Sequence, residues 1–482
     1  MKNKSVWSDI KNEISCPTLK QNLEVDVLII GGGLTGISTA YHLINSNLNV
    51  CLVEKNKIGS GVSSRTTGKL TFLQENIYSK LYKFHGLEKT KLYLDSQIEA
   101  INLAKKIIET NNIDCNLEKV KSYVFNKYEE NKLKKEIKIL KKLSVPIKIT
   151  NKLPNGEKVN KAFSIENTFV FHPLKYIYKL EELCLNNNIS IYENTKILKI
   201  EKNENGFICK TEKNLIKAKY VVLALHYPYF LMPFWMPLKS HIEKSYIKAF
   251  TIDKNNKFSS ISTSSPTVST RYHTDKNINY QLYLTNSHNT CIKENDLENF
   301  KPLLKNRPDF IWSNKDIITN DLLPFIGALN NDQTLLIGTG YNTWGMTNGT
   351  LAGKILADII LNKPNKYLEL FKPTRKINLG KVLNFPLILI SNVWSFTKSK
   401  LIVQKKWYPK NVIFKKENGQ NIAIYIDENK KEHVVYNKCP HLKCGLIFNE
   451  IEKTWDCPCH GSRFDIDGNS IEGPSNYSIK YK

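Results

Sequence analysis

A short apolar run at residues 25–30 (VDVLII) opens directly into Gly31, Gly32, Gly33, Leu34, Thr35 and Gly36, followed by a helix-like stretch over residues 37–45. Such a run, bounded by glycines, reads as a buried parallel strand. Gly31 permits a tight turn, Gly33 lets the backbone approach a pyrophosphate, and Gly36 lets the helix pack on the strand. A second apolar run, residues 49–53, ends at Glu54, eighteen residues past Gly36, where a carboxylate can accept from a ribose hydroxyl. The order strand, loop, helix, strand is the setting in which a G-x-G-x-x-G motif binds a dinucleotide; a glycine-rich turn without a ligand is the alternative. The fingerprint alone does not choose between FAD and NAD.

The C-terminal end carries a second signature. Cys439 and His441 form one box, Cys457 and His460 another, with fifteen residues between them. Two cysteines and two histidines can hold a tetrahedral zinc ion. They can also hold a [2Fe–2S] cluster, with both thiolates on one iron and both imidazoles on the other. Each box carries a further cysteine, Cys444 and Cys459, and the second runs into Gly461 and Ser462, which a zinc site does not need. The pair C-P-H-L-K-C and C-P-C-H-G-S resembles the cluster loops of Rieske proteins, close to C-T-H-L-G-C and C-P-C-H-G-S. Ten of twelve positions match, with Pro440 and Lys443 as the departures.

The resemblance implies a role for each residue. Cys439 and Cys457 supply thiolates to the inner iron, and His441 and His460 ligate the outer one. Imidazoles in place of thiolates make the cluster less negative and place its potential in roughly the −150 to +300 mV range. Histidine ligation also couples electron transfer to protonation. Cys444 and Cys459 match the pair that forms a disulfide between the loops, the alternative being two reduced core thiols. Ser462 matches the hydroxyl that donates to a bridging sulfide. High-potential members carry a tyrosine where this chain has Phe464, so a potential below theirs is expected.

Further motifs in the first 365 residues point to FAD. The small-residue run GSGVSSRTTG (59–68) resembles the flavin-contacting segment of the D-amino-acid oxidase/glycine oxidase superfamily and implies contacts from Ser63, Ser64, Arg65 and Thr67. The run LLIGTGYNTWGMTNG (335–349) resembles that superfamily's returning strand–loop–helix, with Gly338, Gly340, Gly345 and Thr347 about the isoalloxazine. Residues 218–226 sit where the superfamily has a strand ending in small residues; here Leu225 and His226 depart from that ending.

The expected fold is an α/β Rossmann-like FAD-binding domain with an antiparallel substrate sheet, plus a small all-β Rieske domain. The expected division is 20–365 for the flavoenzyme region, with the substrate sheet mainly over 237–318, then 366–400 as an apolar linker and 401–482 for the Rieske domain. Residues 78–145 read as lysine-rich helix covering the flavin region. Residues 382–397 carry no charge and are too short and polar for a transmembrane helix. They read as a linker, with an interfacial membrane contact as the alternative. Six cysteines are scattered before residue 300 and four fall in the boxes, which suits a reducing compartment with one dedicated metal site. The N-terminal residues show no apolar signal region, so a cytoplasmic location is expected.

The net charge is +25, with lysine outnumbering arginine sixty-five to five. No nucleic-acid motif accompanies it, and AT-rich codon usage accounts for such a composition. A basic surface would favour docking of an acidic electron carrier such as a ferredoxin or flavodoxin.

Superfamily members oxidise a carbon bearing an amine, so a small amine or amino-acid-like substrate is expected. A substrate carboxylate would want a bidentate arginine, and Arg271, with Tyr272 beside it, is the candidate among five arginines. His226 and His172 are further candidates near the pocket. A two-electron flavin beside a one-electron cluster implies that a substrate reduces FAD and the cluster relays electrons singly to an external acceptor. Reverse flow from cluster to flavin, or a redox sensor or assembly protein that uses the cluster as a switch, are the alternatives.

Overall fold

The computed structural model describes residues 2–227, 239–265, 267–289, 307–376, 410–441, 443–459, 461–473, 475 and 477–481. His460 and residues 377–409, which contain the uncharged 382–397 segment, lie outside them.

The apolar run near the N-terminus forms strand Leu23–Ile30, the centre of a largely parallel sheet. It lies between Val50–Val53 on one side and Leu215–Leu223 on the other. Ser190–Tyr192 extends the sheet beyond Val50–Val53, and Leu335–Thr339 extends it beyond Leu215–Leu223, again in parallel. Val27, Leu28 and Ile29 are fully buried, as expected of a strand covered on both faces. Helix Leu34–Leu43 starts at Gly33 and packs under helix Gly345–Ile360, which follows the last parallel strand. Gly31 adopts φ +112°, which an L side chain rarely tolerates. At Gly36 the constraint is space, since a Cβ there would lie 1.9 Å from the Gly31 carbonyl oxygen.

A second, nine-stranded sheet stands beside the first. Its order is Phe310–Thr319, Ser240–Ile252, Ile278–Asn289, Ser269–Asp275, Phe258–Ser262, Glu118–Asn126, Lys158–Val170 and Lys69–Leu70, with Lys148–Lys152 paired to Lys158–Val170. Only five of these strands lie in the C-terminal half of the flavoenzyme region. The expectation of helix throughout 78–145 is therefore corrected. Helices Ile77–Thr110 and Glu130–Lys142 flank a strand, Glu118–Asn126, which pairs in parallel with Phe258–Ser262. Burial alternates along the first seven residues of EKVKSYVFN, with Val120, Ser122 and Val124 inward and Lys119 and Lys121 exposed.

The cluster domain is built of two small antiparallel sheets, Val412–Glu417, Gln420–Ile426 and Glu432–Tyr436 in one, and Ile447–Asn449, Thr454–Asp456, Arg463–Phe464 and Ser470–Glu472 in the other. Asn418 and Gly419, both at positive φ, make the two-residue hairpin turn. The core is aromatic: Phe448 stacks on Tyr425 at 4.6 Å and meets Trp455 edge-on at 4.8 Å. Of the expected 366–400 linker, residues 366–376 pack on the flavoenzyme region. Tyr367 and Phe371 are buried there, and Arg375 pairs with Asp321 at 2.7 Å.

Gly36→Val forces the side chain into the Gly31 carbonyl, and the expected cost is at least about 2 kcal/mol from overpacking. Urea denaturation checks the stability, and the FAD content of the purified protein checks the loop.

Candidate functional site

Three segments distant in the chain converge on one cleft. Its lining includes Gly31, Gly33 and Glu54 from the fingerprint, Ser63 and Arg65 from the small-residue run, and Gly338, Gly340 and Gly345 from the returning strand and helix. The Glu54 carboxylate accepts from the Gly32 N–H at 2.8 Å and the Asn56 N–H at 2.9 Å, which fixes it at the end of its strand. Ser63 Oγ accepts from the Leu34 N–H at 3.1 Å, tying the small-residue run to the first turn of the helix. A helix N-terminus, a glycine edge and an anchored carboxylate together suit the pyrophosphate and ribose of a dinucleotide. Ser64 instead caps its own turn on the Gly61 carbonyl, and Thr347 is fully buried against Thr71. Thr67 lines an adjoining cavity. His226 lines the cleft, half-buried, and desolvation of its ring holds its imidazole below the usual range. His172 caps helix Pro173–Asn186 between Trp7 and His273.

The cluster loops are clamped together by the Cys444–Cys459 disulfide. Cys439 and Cys457 stay outside it and are buried. The Cys457 sulfur lies within 4.8 Å of both disulfide sulfurs. Cys439 N–H donates to the Cys444 carbonyl at 2.8 Å, and Cys457 N–H to the Ser462 carbonyl at 2.7 Å, so each loop closes on itself. Ser462 Oγ accepts from the Ser475 N–H at 2.9 Å, which leaves its own proton to donate. Buried thiols, His441 and this hydroxyl are the donor set a Rieske cluster uses.

Arg271 is corrected. It is 1% exposed, and its guanidinium donates to the carbonyls of Thr67, Gly68 and Phe171 at 2.6, 2.9 and 2.9 Å and lies over the Trp7 ring. It is a structural tie beneath the small-residue run. Tyr272, on the opposite face of the strand, packs on Phe258 at 5.1 Å. Neither lines the cleft or the adjoining cavity.

Strands Ser240–Ile252 and Phe310–Thr319 hold what sequence reasoning missed. They pair antiparallel, with Glu243 opposite Asp316, Lys244 opposite Lys315 and Ser245 opposite Asn314. Because side chains alternate across a strand, the two faces differ. Glu243, Ser245, Asn314 and Asp316 line a cavity of about 240 Å³ together with Arg65, Lys69, Gly345 and Met346. Lys244 and Lys315 point the other way, onto the cluster domain. Lys244 pairs with Asp456 at 2.7 Å, and Lys315 Nζ donates to the Gly461 carbonyl at 2.8 Å. Charged residues on both faces of a strand are the signal that could have found this wall.

A buried network surrounds these contacts. Arg463 meets Glu452 at 2.6 Å, Asp456 at 3.4 Å and Glu472 at 3.5 Å, and Ser313 bonds Glu452 from the flavoenzyme side. Glu472, with Ile471 and Gly473, also lines the cofactor cleft. Burial would raise the Glu472 carboxyl; Arg65, Arg463, Lys315 and His226 outweigh it and hold it at about 2. Burial likewise opposes the ionised forms of Glu452 and Asp456, and neighbouring cations hold both below their ordinary range.

Over residues 26–277 the chain matches the family described as FAD dependent oxidoreductase (DAO). It belongs to that family. Residues 400–481 match the Rieske [2Fe-2S] domain. The chain is 30% identical, over 98% of its length and 96% of the relative's, to the provisionally named Rieske 2Fe-2S iron-sulfur protein YhfW of Bacillus subtilis (strain 168). A 46-residue stretch, 10% of this chain and 26% of the relative, is 41% identical to cytochrome b6-f complex iron-sulfur subunit 2 of Trichormus variabilis (strain ATCC 29413 / PCC 7937). Glycine oxidase from Geobacillus kaustophilus shares the fold with a TM-score of 0.60, at 18% identity, over 74% of this chain and 100% of that one. The protein is thus an oxidoreductase of the DAO family, with FAD as the cofactor of that region and a [2Fe–2S] cluster as that of its Rieske domain. Among the described residues no helix is long and apolar enough to cross a membrane.

Two outcomes follow from the network. Lys244→Met leaves the Asp456 charge buried with one partner fewer and costs about 3 kcal/mol in urea denaturation. The folded pKa values of Glu452, Asp456 and Glu472 lie below their unfolded values. Their contribution to stability is therefore full above the ordinary carboxylate range and lost as pH falls through each folded value, which for Glu472 is about 2. Glu472→Gln flattens that acid limb, measured as urea midpoints between pH 5 and pH 3.

Proposed function

We propose that this DAO-family member oxidises a small amine or amino-acid-like substrate and passes the electrons singly through its Rieske cluster to an external acceptor. The observation that carries the reading is the shared wall. The strand pair that lines the cavity beside the cofactor cleft holds the cluster loop on its other face, through Lys315 Nζ and the Gly461 carbonyl at 2.8 Å. Two redox centres on either side of one pair of strands suit internal electron transfer better than two separate functions.

In this reading Gly31, Gly33, Gly36, Glu54, Ser63, Arg65, Gly338, Gly340 and Gly345 hold FAD. Cys439, Cys457, His441 and His460 hold the cluster, with Ser462 donating to it. When bound, FAD supplies a two-electron acceptor for the carbon–nitrogen bond and the cluster a one-electron carrier. The chain's own residues do the rest. The first turn of helix Gly345–Ile360 directs backbone N–H groups at the cleft, where negative charge is stabilised. Lys69 lines the cavity, and burial and Arg271 lower its ammonium to about 7, so its Nζ can exchange a proton near neutrality. The glycine oxidase that shares the fold supports an amine or amino acid as the substrate class. The division into residues 20–365, 366–400 and 401–482 belongs to the same proposal, and the basic composition favours an acidic carrier as acceptor.

An anaerobic reductive titration tests this, with flavin absorbance and cluster EPR followed on one sample. Amines, amino acids and NAD(P)H serve as donors. The expected result is flavin bleaching by an amine-class donor followed by the reduced Rieske signal. Flavin reduction with the cluster left oxidised would overturn the relay.

A further inference from the structure

The cavity face of the strand pair carries an unusual set of side chains. Glu243 and Asp316 are direct cross-strand partners, and so are Ser245 and Asn314. Like charges directly opposite one another are destabilising, and here both are half-buried and line one cavity. Glu75 lines the same cavity and adds a third carboxylate.

Most of the cations nearby are engaged by other groups. Lys69 Nζ donates to the Ser260 carbonyl at 3.0 Å and Ser269 Oγ at 2.6 Å. Arg65 Nη1 lies 3.9 and 4.0 Å from Glu452 and Glu472 of the cluster domain and makes no hydrogen bond among the described residues. Lys80 lies 3.9 Å from Glu75, and His241 and Ser287 bond Glu243 at 3.4 and 3.0 Å. Among the described residues no cation lies within ion-pair distance of Asp316, whose Oδ2 accepts only from Asn314 Nδ2 at 3.1 Å.

A second, independent observation points the same way. Among the described residues Asn314 Oδ1 and Ser245 Oγ have no hydrogen-bond partner, and their residues are 6% and 4% exposed. An unpaired acceptor at that depth is costly, and Asn314 Oδ1 can only accept. One hydroxyl, one amide oxygen and two carboxylates on adjacent cross-strand positions match a group that is positively charged and rich in donors. An alkylammonium has that chemistry, with three N–H donors and one charge. Arg271, the expected clamp for a carboxylate, faces elsewhere. Burial and the Glu243 charge push the Asp316 carboxyl up to about 7, as expected of a carboxylate awaiting a counter-ion.

We propose that Glu243, Ser245, Asn314 and Asp316 form a subsite for a primary ammonium, so that the substrate is a diamine-type cation. This rests on the reading of the adjoining cleft as the amine-oxidising site. Arg65, Asn314, Asp316, Gly345 and Met346 line both cavity and cleft, so an ammonium held on the strand pair leaves the rest of a short chain facing the cofactor.

Equilibrium binding to the holoprotein tests the subsite without turnover. Calorimetric titration with 1,4-diaminobutane is compared with glycine and butanoate. The diamine is expected to bind at least tenfold more tightly than either. Asp316→Asn and Glu243→Gln should each weaken it at least tenfold, and Asp316→Glu should retain most of it. Without ligand, Asp316→Asn should melt no lower than the parent, because it relieves the like-charge pair. Glycine or butanoate binding more tightly than the diamine, or diamine binding unchanged in both Asp316→Asn and Glu243→Gln, would overturn the subsite. Glycine reducing the flavin while the diamine fails to bind would leave amine oxidation standing and remove the subsite. Asp316-dependent diamine binding with no flavin reduction by any amine would do the reverse.

Discussion

The cluster domain is held on the flavoenzyme region by charges that water does not reach. Lys244 and Asp456 are 3% and 1% exposed at their side chains and 2.7 Å apart, and Arg463 gathers Glu452, Asp456 and Glu472 around it. Taking such groups out of water is expensive, and their mutual attraction offsets the cost only in one geometry. A greasy interface would hold two domains together while tolerating sliding. This one holds them in a single register, because any displacement leaves a buried charge unpaired. The position of the cluster loop relative to the cofactor cleft depends on that register.

The two strands beneath the network serve two chemistries because the side-chain period of a strand is two. Successive residues of KSY at 244–246 and NKD at 314–316 alternate between the cluster domain and the cavity. The lysines that anchor the domain and the oxygens that face the cavity are therefore neighbours in sequence and opposed in space. A one-residue slip of either strand would send lysine into the cavity and carboxylate into the interface. The like-charge pair of Glu243 and Asp316 costs stability on its own. The half-buried carboxylates and orphaned oxygens of this face mark where stability is given up for recognition.

Much of the molecule was legible before folding. The glycine fingerprint is local, since three glycines and one carboxylate at set spacings encode a turn, a close approach and a hydrogen bond whatever lies beyond. The cluster boxes are local for the same reason. Glu118–Asn126 was not legible, because its sequence has no clean alternation, it sits between two helices, and its parallel partner, Phe258–Ser262, lies far along the chain. Arg271 misled for a related reason. Residue type suggested a carboxylate clamp, but strand register turned its guanidinium under Thr67 and Gly68, where three backbone carbonyls take it up.

The amino-acid sequence by itself determined the two redox modules and their order, because thiol, imidazole and glycine chemistry at short spacing survives any arrangement of the rest. Only the tertiary structure decided that the modules share a wall, which cations meet which carboxylates, and that Arg271 lies away from the cavity the carboxylates line. Those outcomes depend on which face of a strand a residue occupies and which distant strand lies beside it. Pairing register sets both, and no local pattern encodes it.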